Sequence, residues 1–170
     1  MEQALEALPA PPADRGTVVL VVARPGREER ATPSPGRLTP EGGVEGDRWG
    51  LNAGAGSLNQ ITVMRADIAR MMGPDAPLTL PGDNLMVDLD LSESNLPAGT
   101  RLRVGGAVCE VTPHPHTGCG KFASRYGQDA LELTRDHNAM RLRGLHVRVI
   151  EAGEVAPGDS IAVLSRHGSN

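Results

Sequence analysis

Aromatic side chains are scarce in this chain of 170 residues, and a net positive charge and long apolar runs are lacking. Its only aromatic residues are Trp49, Phe122 and Tyr126, too few for the stacked aromatics with which many proteins bind single-stranded nucleic acid. Its formal net charge of -4 provides no general attraction for nucleic acid or for an anionic membrane surface. We therefore expect neither nucleic acid nor a membrane as a partner.

Signals for membrane insertion and secretion are missing as well. No apolar run reaches the length of a membrane-spanning helix, and the N-terminus lacks the basic-then-apolar order of a signal peptide. The two cysteines, Cys109 and Cys119, do not form a CxxC pair. These features predict a cytoplasmic protein in which both cysteines are reduced thiols.

Glycine and proline, by contrast, are abundant, with 21 and 14 residues. They separate short Val, Leu and Ile runs, a pattern that predicts turn-rich β structure. Residues 96–104 and 155–163 both place glycine ahead of an alternating strand, which favours a barrel or curled sheet. The side chains expected to face inward are Leu102, Val104, Ile161 and Val163. The length predicts one domain over residues 16–164, between a loose N-terminal tail (1–15) and a C-terminal tail (165–170).

Alternation within the predicted strands assigns several side chains to a face. Residues 105–106, Gly-Gly, predict a two-residue hairpin turn. Cys109 falls on the apolar face of the strand that follows, as a small core residue would. In the strand at 145–150, His146 and Arg148 are expected to point away from the core. Helices are predicted over 118–126 and 129–135.

The most informative stretch runs from residue 108 to 126, VCEVTPHPHTGCGKFASRY. Thr117 is well placed to cap a helix beginning near residue 118, which would put Cys119 in the first turn. Free N–H groups and the helix dipole favour a thiolate there, and His114, His116 and Lys121 add possible positive charge. The pattern predicts a reactive thiol with a lowered pKa.

Three alternatives remain open for this stretch. Cys119 shares a helical face with Phe122 and Tyr126, as a buried structural thiol would. Cys119 could also pair with either histidine as a Cys–His nucleophile. Finally, His114, His116 and Cys119 could bind Zn²⁺, with a fourth ligand from His146, an acid or water.

Basic residues elsewhere could gather beside this turn and bind a phosphorylated or oxyanionic ligand. At residues 46–48, Gly-Asp-Arg, the glycine would allow the bend, Asp47 would fix it and Arg48 would project its charge. The charged cluster at 27–30 is instead expected to form a solvated loop. The candidate members of this basic cluster are Arg48, Lys121, Arg125, Arg141, Arg143 and Arg148.

Several short motifs occur in an order that resembles a known family. They are GDR at 46–48, QIT at 60–62, GDNL at 82–85, EVTPHPHTGCGKF at 110–122, RGLHVRVIEAG at 143–153 and GD at 158–159. Together they resemble the MOSC domain, named after the C-terminal domain of molybdenum-cofactor sulfurases, and they cover roughly residues 16–163. The chain is most similar to small stand-alone bacterial members. The resemblance implies a mainly β fold with a MOSC or pyruvate-kinase-barrel-like core and a few short peripheral helices.

The resemblance also implies a role for the cysteine at position 119. In the family this thiol either carries sulfur as a persulfide or ligates molybdenum of a bound pterin, the molybdenum cofactor (molybdopterin). A redox activity such as reduction of N-hydroxylated substrates would accompany the metal role. As a carrier, the chain would take sulfur from an external donor of the cysteine desulfurase kind. Pyridoxal phosphate would then be involved only through that separate partner.

The resemblance assigns expectations to further residues. His114 and His116 would handle protons in catalysis, and the expected contacts to the cofactor are Asp47, Arg48, Lys121, Arg125 and Arg143. Two positions depart from the family pattern: Trp49 stands where many members have histidine, and Gly120 where many have a bulky residue. A non-catalytic binding module that kept the barrel and lost the cofactor chemistry remains an alternative.

Overall fold

Seven β-strands close into a barrel in this computed structural model, which describes residues 1–166. Around the barrel the strand order is β1-β10-β6-β7-β8-β4-β5, and β4 and β5 are its parallel pair. The barrel strands are β1 (Arg15–Val21), β4 (Ile61–Arg65), β5 (Leu85–Asp88), β6 (Arg101–Val104), β7 (Ala107–Val111), β8 (Leu145–Glu151) and β10 (Ser160–Ser165). A separate three-stranded sheet contains β2 (Gly36–Thr39), β3 (Gly43–Val44) and β9 (Gly153–Val155). The predicted mainly β, barrel-centred fold is confirmed.

Five short helices and one 3-10 turn lie outside the barrel in the part of the chain from residue 1 to 166. They are α1 (Glu2–Glu6), α2 (Arg48–Ala53), α3 (Ala66–Met72), α4 (Gly120–Tyr126), α5 (Gln128–Asp136) and the 3-10 turn Asn138–Met140. Across residues 1–166, none of the helices combines the length and the apolar character needed to cross a membrane.

The barrel interior is filled by the alternating side chains of its strands. Leu102 and Val104 on β6 and Ile161 on β10 belong to this inner cluster, as their alternation predicted. The hairpin at residues 105–106 is confirmed, since Val104 pairs with Ala107 across it. Cys109 is fully buried in the same cluster, where burial raises the pKa of its thiol to about 12. It is therefore a core residue, as predicted.

A second apolar cluster lies between the helices and the outer surface of the barrel. Phe122 and Tyr126 of α4 and Leu131 of α5 pack there against Met64 of β4. Because the 113–117 turn covers the outer face of β8, His146 is buried although it points away from the barrel interior. The strand is buried on both faces at that point, which alternation alone does not reveal.

Chain ends and helix starts differ in detail from the sequence predictions. The first residues were expected as a loose tail, but they form α1, whose Leu5 is buried in the second cluster. Strand β10 continues to Ser165, and residues 167–170 of the expected C-terminal tail lie outside the described part of the chain. Helix α4 begins at Gly120 with Cys119 as its N-cap, so Thr117 is not the capping residue.

Candidate functional site

A cleft of about 290 Å³ opens where the loop after β1, the start of α2 and the start of α4 meet. Cys119 lines this cleft, together with His116. Glu28 is the one acidic residue among the lining side chains in the part of the chain that the structure describes. Seven basic residues surround them: Arg24, Arg27, Arg30, Arg48, Lys121, Arg125 and Arg143. The cleft is strongly cationic although the whole chain is acidic.

The thiol of Cys119 is exposed to this cleft at the N-terminus of α4. Its backbone is extended (φ -128°, ψ -178°), and its carbonyl accepts the first helical hydrogen bond, from Ala123 N–H at 3.0 Å. The N–H groups of Phe122 and Lys121 and the charges of Arg143 and Arg125 lower the pKa of the Cys119 thiol, outweighing slight burial. The side chain completes no capping hydrogen bond, so the N–H groups act on it as nearby dipoles.

The two glycines that flank Cys119 differ in the space that surrounds them. A Cβ at Gly118 would lie 2.4 Å from Leu131 Cδ1, so any larger residue would require the Leu131 side chain to move. A Cβ at Gly120 would meet no atom within 4 Å. Gly118 therefore allows the turn to pack closely on α5, whereas Gly120 leaves the space beside Cys119 open.

Asp83 forms the buried anchor beneath the cleft. Its carboxylate is fully buried and lies 2.6 Å from Arg143 Nη1 and 2.8 Å from His116 Nε2. Burial alone would raise the pKa of Asp83, but Arg143 and His116 hold it well below the ordinary carboxyl value. Burial lowers the pKa of His116 itself, although Asp83 opposes this. A neutral His116 still donates its Nε2–H to Asp83, and Arg143 is the cation that keeps the carboxylate ionised.

Arg143 is held at two further points. Its guanidinium carbon lies 5.0 Å from the centre of the Phe122 ring, within the range of a cation–π contact. Its Nε is buried and finds no hydrogen-bond partner among residues 1–166, which leaves one donor uncommitted. The residue also separates the cleft from a smaller neighbouring hollow of about 140 Å³, because it lines both, as His116 does.

The rings of His114, His116 and His146 pack against one another at steep angles, next to Asp83. The ring of His146 lies 4.5 Å from that of His116 and 5.0 Å from that of His114, measured between ring centres. His146 Nδ1 lies 3.1 Å from the carbonyl oxygen of His114, so Nδ1 carries the hydrogen. Burial and the neighbouring His116 lower the pKa of His146 to about 4, and the ring is neutral at pH 7.

A second buried carboxylate, Asp47, organises the opposite wall. It caps α2 by accepting Gly50 N–H at 3.0 Å, and it lies 2.8 Å from both Arg24 Nε and Asn84 Nδ2. The side chain is 1% exposed, and it does not line the cleft. Asp47 therefore fixes the turn, as expected, and it positions Arg24, which does line the cleft. Its expected direct contact with a cofactor stays a prediction.

A family model described as the MOSC domain matches residues 62–162, more than half of the chain. The chain belongs to the MOSC domain family. YflK of Bacillus subtilis, an uncharacterised protein, is 34% identical over 85 residues, which are 50% of this chain and 37% of YflK. The matched part thus spans little more than a third of that relative.

Solved structures share the fold of this MOSC domain. YuaD from Bacillus subtilis superimposes with a TM-score of 0.64 at 22% identity, covering 88% of this chain and 95% of that chain. YiiM from Escherichia coli gives a TM-score of 0.61 at 22% identity, covering 89% and 70%. YiiM from Geobacillus stearothermophilus gives 0.65 at 17% identity, covering 91% and 77%. At these identities the likeness concerns the fold alone.

The MOSC domain brings most of its predicted site residues together. Arg48, Lys121, Arg125 and Arg143 all line the cleft beside Cys119, and Lys121 is the only lysine of the chain. Arg141 instead donates to the carbonyl oxygens of Leu91 and Leu96, and Arg148 pairs with Glu110 on the barrel surface. Arg141 and Arg148 therefore do not belong to the basic cluster at the cleft. His114 lines the smaller hollow, away from the thiol.

The zinc alternative finds no support in the geometry. Within the described range 1–166, no three His, Cys, Asp or Glu side chains are grouped so that they could hold a metal ion. His116 is turned toward Asp83 and His114 lies against His146, while Cys119 faces the cleft. Pro115, whose backbone is restricted, stands between the two histidines, and their imidazole rings point in different directions.

Four site residues of the MOSC domain were not singled out from the sequence. Arg27 and Arg30 were expected in a solvated loop, yet both line the cleft, as Arg24 does. Asp83 lies buried beneath it and holds Arg143. The GDNL motif at 82–85 contains Asp83, but Asp and Asn before a strand are also typical of an ordinary turn, so the residues alone did not single it out. Arg24 lies three residues after the end of β1, where a side chain at a barrel rim would be expected.

Proposed function

We propose that this MOSC domain binds the molybdenum cofactor, or a related pterin species, in the cationic cleft, with the Cys119 thiolate as ligand of the metal. The observation that carries the proposal is the exposed thiol of lowered pKa inside a ring of seven basic side chains. A thiolate is a soft ligand suited to such a metal, and arginines are suited to a phosphate group.

The residues present fit an anionic, metal-bearing ligand. Arg24 and Arg143 are fixed by buried carboxylates, so their charges are already oriented. Arg27, Arg48 and Lys121 form no ion pair within residues 1–166, which leaves their charges available to a phosphate. Basic groups would thus hold the phosphate, and Cys119 the metal.

The chain's own residues would then handle protons. When bound, the cofactor would supply two-electron redox chemistry, and reduction of an N-hydroxylated substrate consumes two electrons and two protons and releases water. The electrons would come from a separate redox partner. His116 lines the cleft and is held through Nε2 by Asp83, so its other ring nitrogen is available to exchange a proton. His114, which lies outside the cleft, would act only through the smaller hollow.

Molybdenum and pterin analysis tests this proposal. Protein from a molybdenum-replete host that makes the cofactor should contain both, and the Cys119→Ser variant should lose most of the metal. Cys109→Ala is the matched control, because it removes the buried thiol and leaves the cleft unchanged. Absence of molybdenum and pterin from the wild-type protein, or equal metal in Cys119→Ser, would contradict the ligand role.

A second candidate function is sulfur transfer, which the accessibility of the thiol favours. The Cys119 thiolate would attack the terminal sulfur of a donor persulfide, forming a persulfide on Cys119 and leaving the donor as a thiol. The donor would be a separate desulfurase-like protein of the cytoplasm, where thiols stay reduced. Treatment with cyanide should then release sulfur from the wild type and from Cys109→Ala, but not from Cys119→Ser. No release after incubation with a desulfurase and cysteine would exclude the carrier role.

A further inference from the structure

Trp49 is the one aromatic side chain of this chain that is open to solvent. Phe122 and Tyr126 are buried in the second apolar cluster, whereas Trp49 is 47% exposed. It also lines the cationic cleft that contains Cys119. A large exposed apolar surface at a ligand cleft is the kind of feature that marks a contact with the ligand.

The indole ring is fixed in place before any ligand arrives. Its Nε1–H donates to the carbonyl oxygen of Asn59 at 3.0 Å, so the polar edge of the ring is already bonded. The next residue, Gln60, donates to the carbonyl oxygens of Pro40 and Gly54, and Thr112 donates to that of Leu58. The acceptor segment is therefore anchored on both sides of Asn59. The surface that Trp49 leaves exposed is chiefly ring carbon.

The backbone of Trp49 is held equally firmly. It lies in the first turn of α2, which Asp47 caps and which packs closely on the β2–β3 turn. A Cβ added at Gly50 would lie only 2.1 Å from the carbonyl oxygen of Gly42. A ring fixed at both its backbone and its polar edge loses little conformational entropy when a ligand stacks on it.

Positive charge adjoins the ring. Arg48 precedes it in α2, and Arg24 and Arg27 line the same cleft. A conjugated planar ring can stack on indole, while an anionic group attached to it meets the arginines. Neither an isolated phosphate nor an isolated ring would use both surfaces.

We propose that Trp49 is a stacking wall that selects ligands in which a planar conjugated heterocycle is joined to a phosphate or carboxylate. The inference rests on the proposed function only in placing the ligand in this cleft, and it needs neither molybdenum nor sulfur on Cys119. The heterocycle could belong to the resident cofactor or to a separate substrate. The chemistry recognised by Trp49 is the same in both cases.

Intrinsic fluorescence gives a direct test, because Trp49 is the only tryptophan in the chain. The full chain prepared without cofactor is titrated with adenosine monophosphate and, in parallel, with ribose 5-phosphate, which keeps the phosphate and sugar but lacks the ring. The expected result is saturable quenching by the nucleotide and an affinity about tenfold or more above that of the sugar phosphate, as base stacking on an aromatic side chain provides. No saturable quenching, or equal affinities, would overturn the proposal.

Variants followed by calorimetry separate stacking from a structural role. Trp49→Leu should bind the two probes with nearly equal affinity, whereas Trp49→Phe should restore most of the preference for the ring. Leu51→Ser is the control, since Leu51 is 66% exposed on the same helix but does not line the cleft. A Trp49→Leu variant that folds normally and keeps the full preference would also overturn the proposal.

Two further measurements show whether the stacked ring belongs to the resident cofactor or to a separate substrate, and whether stacking depends on metal binding at Cys119. If molybdenum-loaded protein still binds the nucleotide, the wall serves a separate substrate. If loading abolishes binding, the wall holds the ring of the resident cofactor. Cys119→Ser should keep the nucleotide preference in both cases, so loss of metal binding and loss of stacking are separate results.

Discussion

Arg143 Nη1 lies 2.6 Å from Asp83 Oδ2, and this pair forms the floor of the cleft that Cys119 faces. The carboxylate is fully buried, and the guanidinium is nearly so. The same carboxylate holds His116 through its second oxygen. One buried acid thus positions a cation and an imidazole at the site, and the stability of the domain depends on the same contacts that shape the cleft.

Replacing this buried acid should therefore destabilise the fold. Asp83→Asn leaves Arg143 without its counter-charge in a buried position, which typically costs about 3–5 kcal/mol. Urea unfolding should show a much lower midpoint for Asp83→Asn, whereas Asp88→Asn, at an exposed position of β5, should stay within about 0.5 kcal/mol of wild type. The stability that Asp83 gives the wild-type protein should be fully present above an ordinary carboxyl pKa of about 3.9. It should be lost as the pH falls from that value through the lower pKa of Asp83 in the folded protein. Equal urea midpoints for the wild type and Asp83→Asn would show that the buried ion pair with Arg143 does not stabilise the fold.

The buried His146 should make stability depend on mild acid. Its pKa is lowered to about 4, so between that value and about 6.5 the unfolded chain binds a proton that the folded chain does not. Stability is then complete above about pH 6.5 and declines toward pH 4, with a slope approaching about 1.4 kcal/mol per pH unit. Unfolding free energies measured across this range should show the decline, and His146→Gln should reduce it. An NMR titration of His146 with an ordinary midpoint would show that the ring is not buried as described.

The thiol of Cys119 should ionise more readily than an ordinary cysteine. Its alkylation rate should therefore reach half its maximum below the usual thiol pKa of about 8.5. Arg125→Gln should move that midpoint upward, because it removes one of the nearby positive charges. Cys109 should stay unmodified in the native protein, since it is fully buried. A Cys119 midpoint at or above the ordinary value would contradict the electrostatic description of this turn.

The glycines on either side of Cys119 should respond in opposite ways to alanine. Gly118→Ala forces a methyl group against Leu131, which should cost about 1–3 kcal/mol and displace the thiol. Gly120→Ala meets no neighbour and adds a better helix former, so it should raise stability by about 0.5–1 kcal/mol. Thermal unfolding and the alkylation rate of Cys119 measure both effects. Equal behaviour of the two variants would mean that the turn does not approach α5 as described.

The sequence predicted the barrel because its signals are local. Glycine and proline separate the strands, and alternation correctly placed Leu102, Val104 and Cys109 inside. Motif order selected Cys119 over Cys109, and the exposure of one thiol and burial of the other agree with that choice. Local patterns of this kind need no knowledge of distant contacts.

The remaining parts of the site depend on long-range contacts that no local pattern records. Asp83 meets Arg143 across 60 positions of the chain, and Asp47 meets Arg24 across 23. The burial of His146 results from a turn folding over the outer face of β8, so alternation could give its direction but not its environment. The loop with Arg27 and Arg30 looked solvated because its charges are many, and only the closed barrel brings it to the cleft.

The most direct test of the ligand role is the X-ray absorption spectrum at the molybdenum edge of cofactor-loaded protein. Cys119 is the exposed thiol of the cleft, so we expect the wild type and Cys109→Ala to show one more sulfur neighbour of molybdenum than metal retained by Cys119→Ser. The same sulfur count in all three proteins would contradict the claim that Cys119 binds the metal.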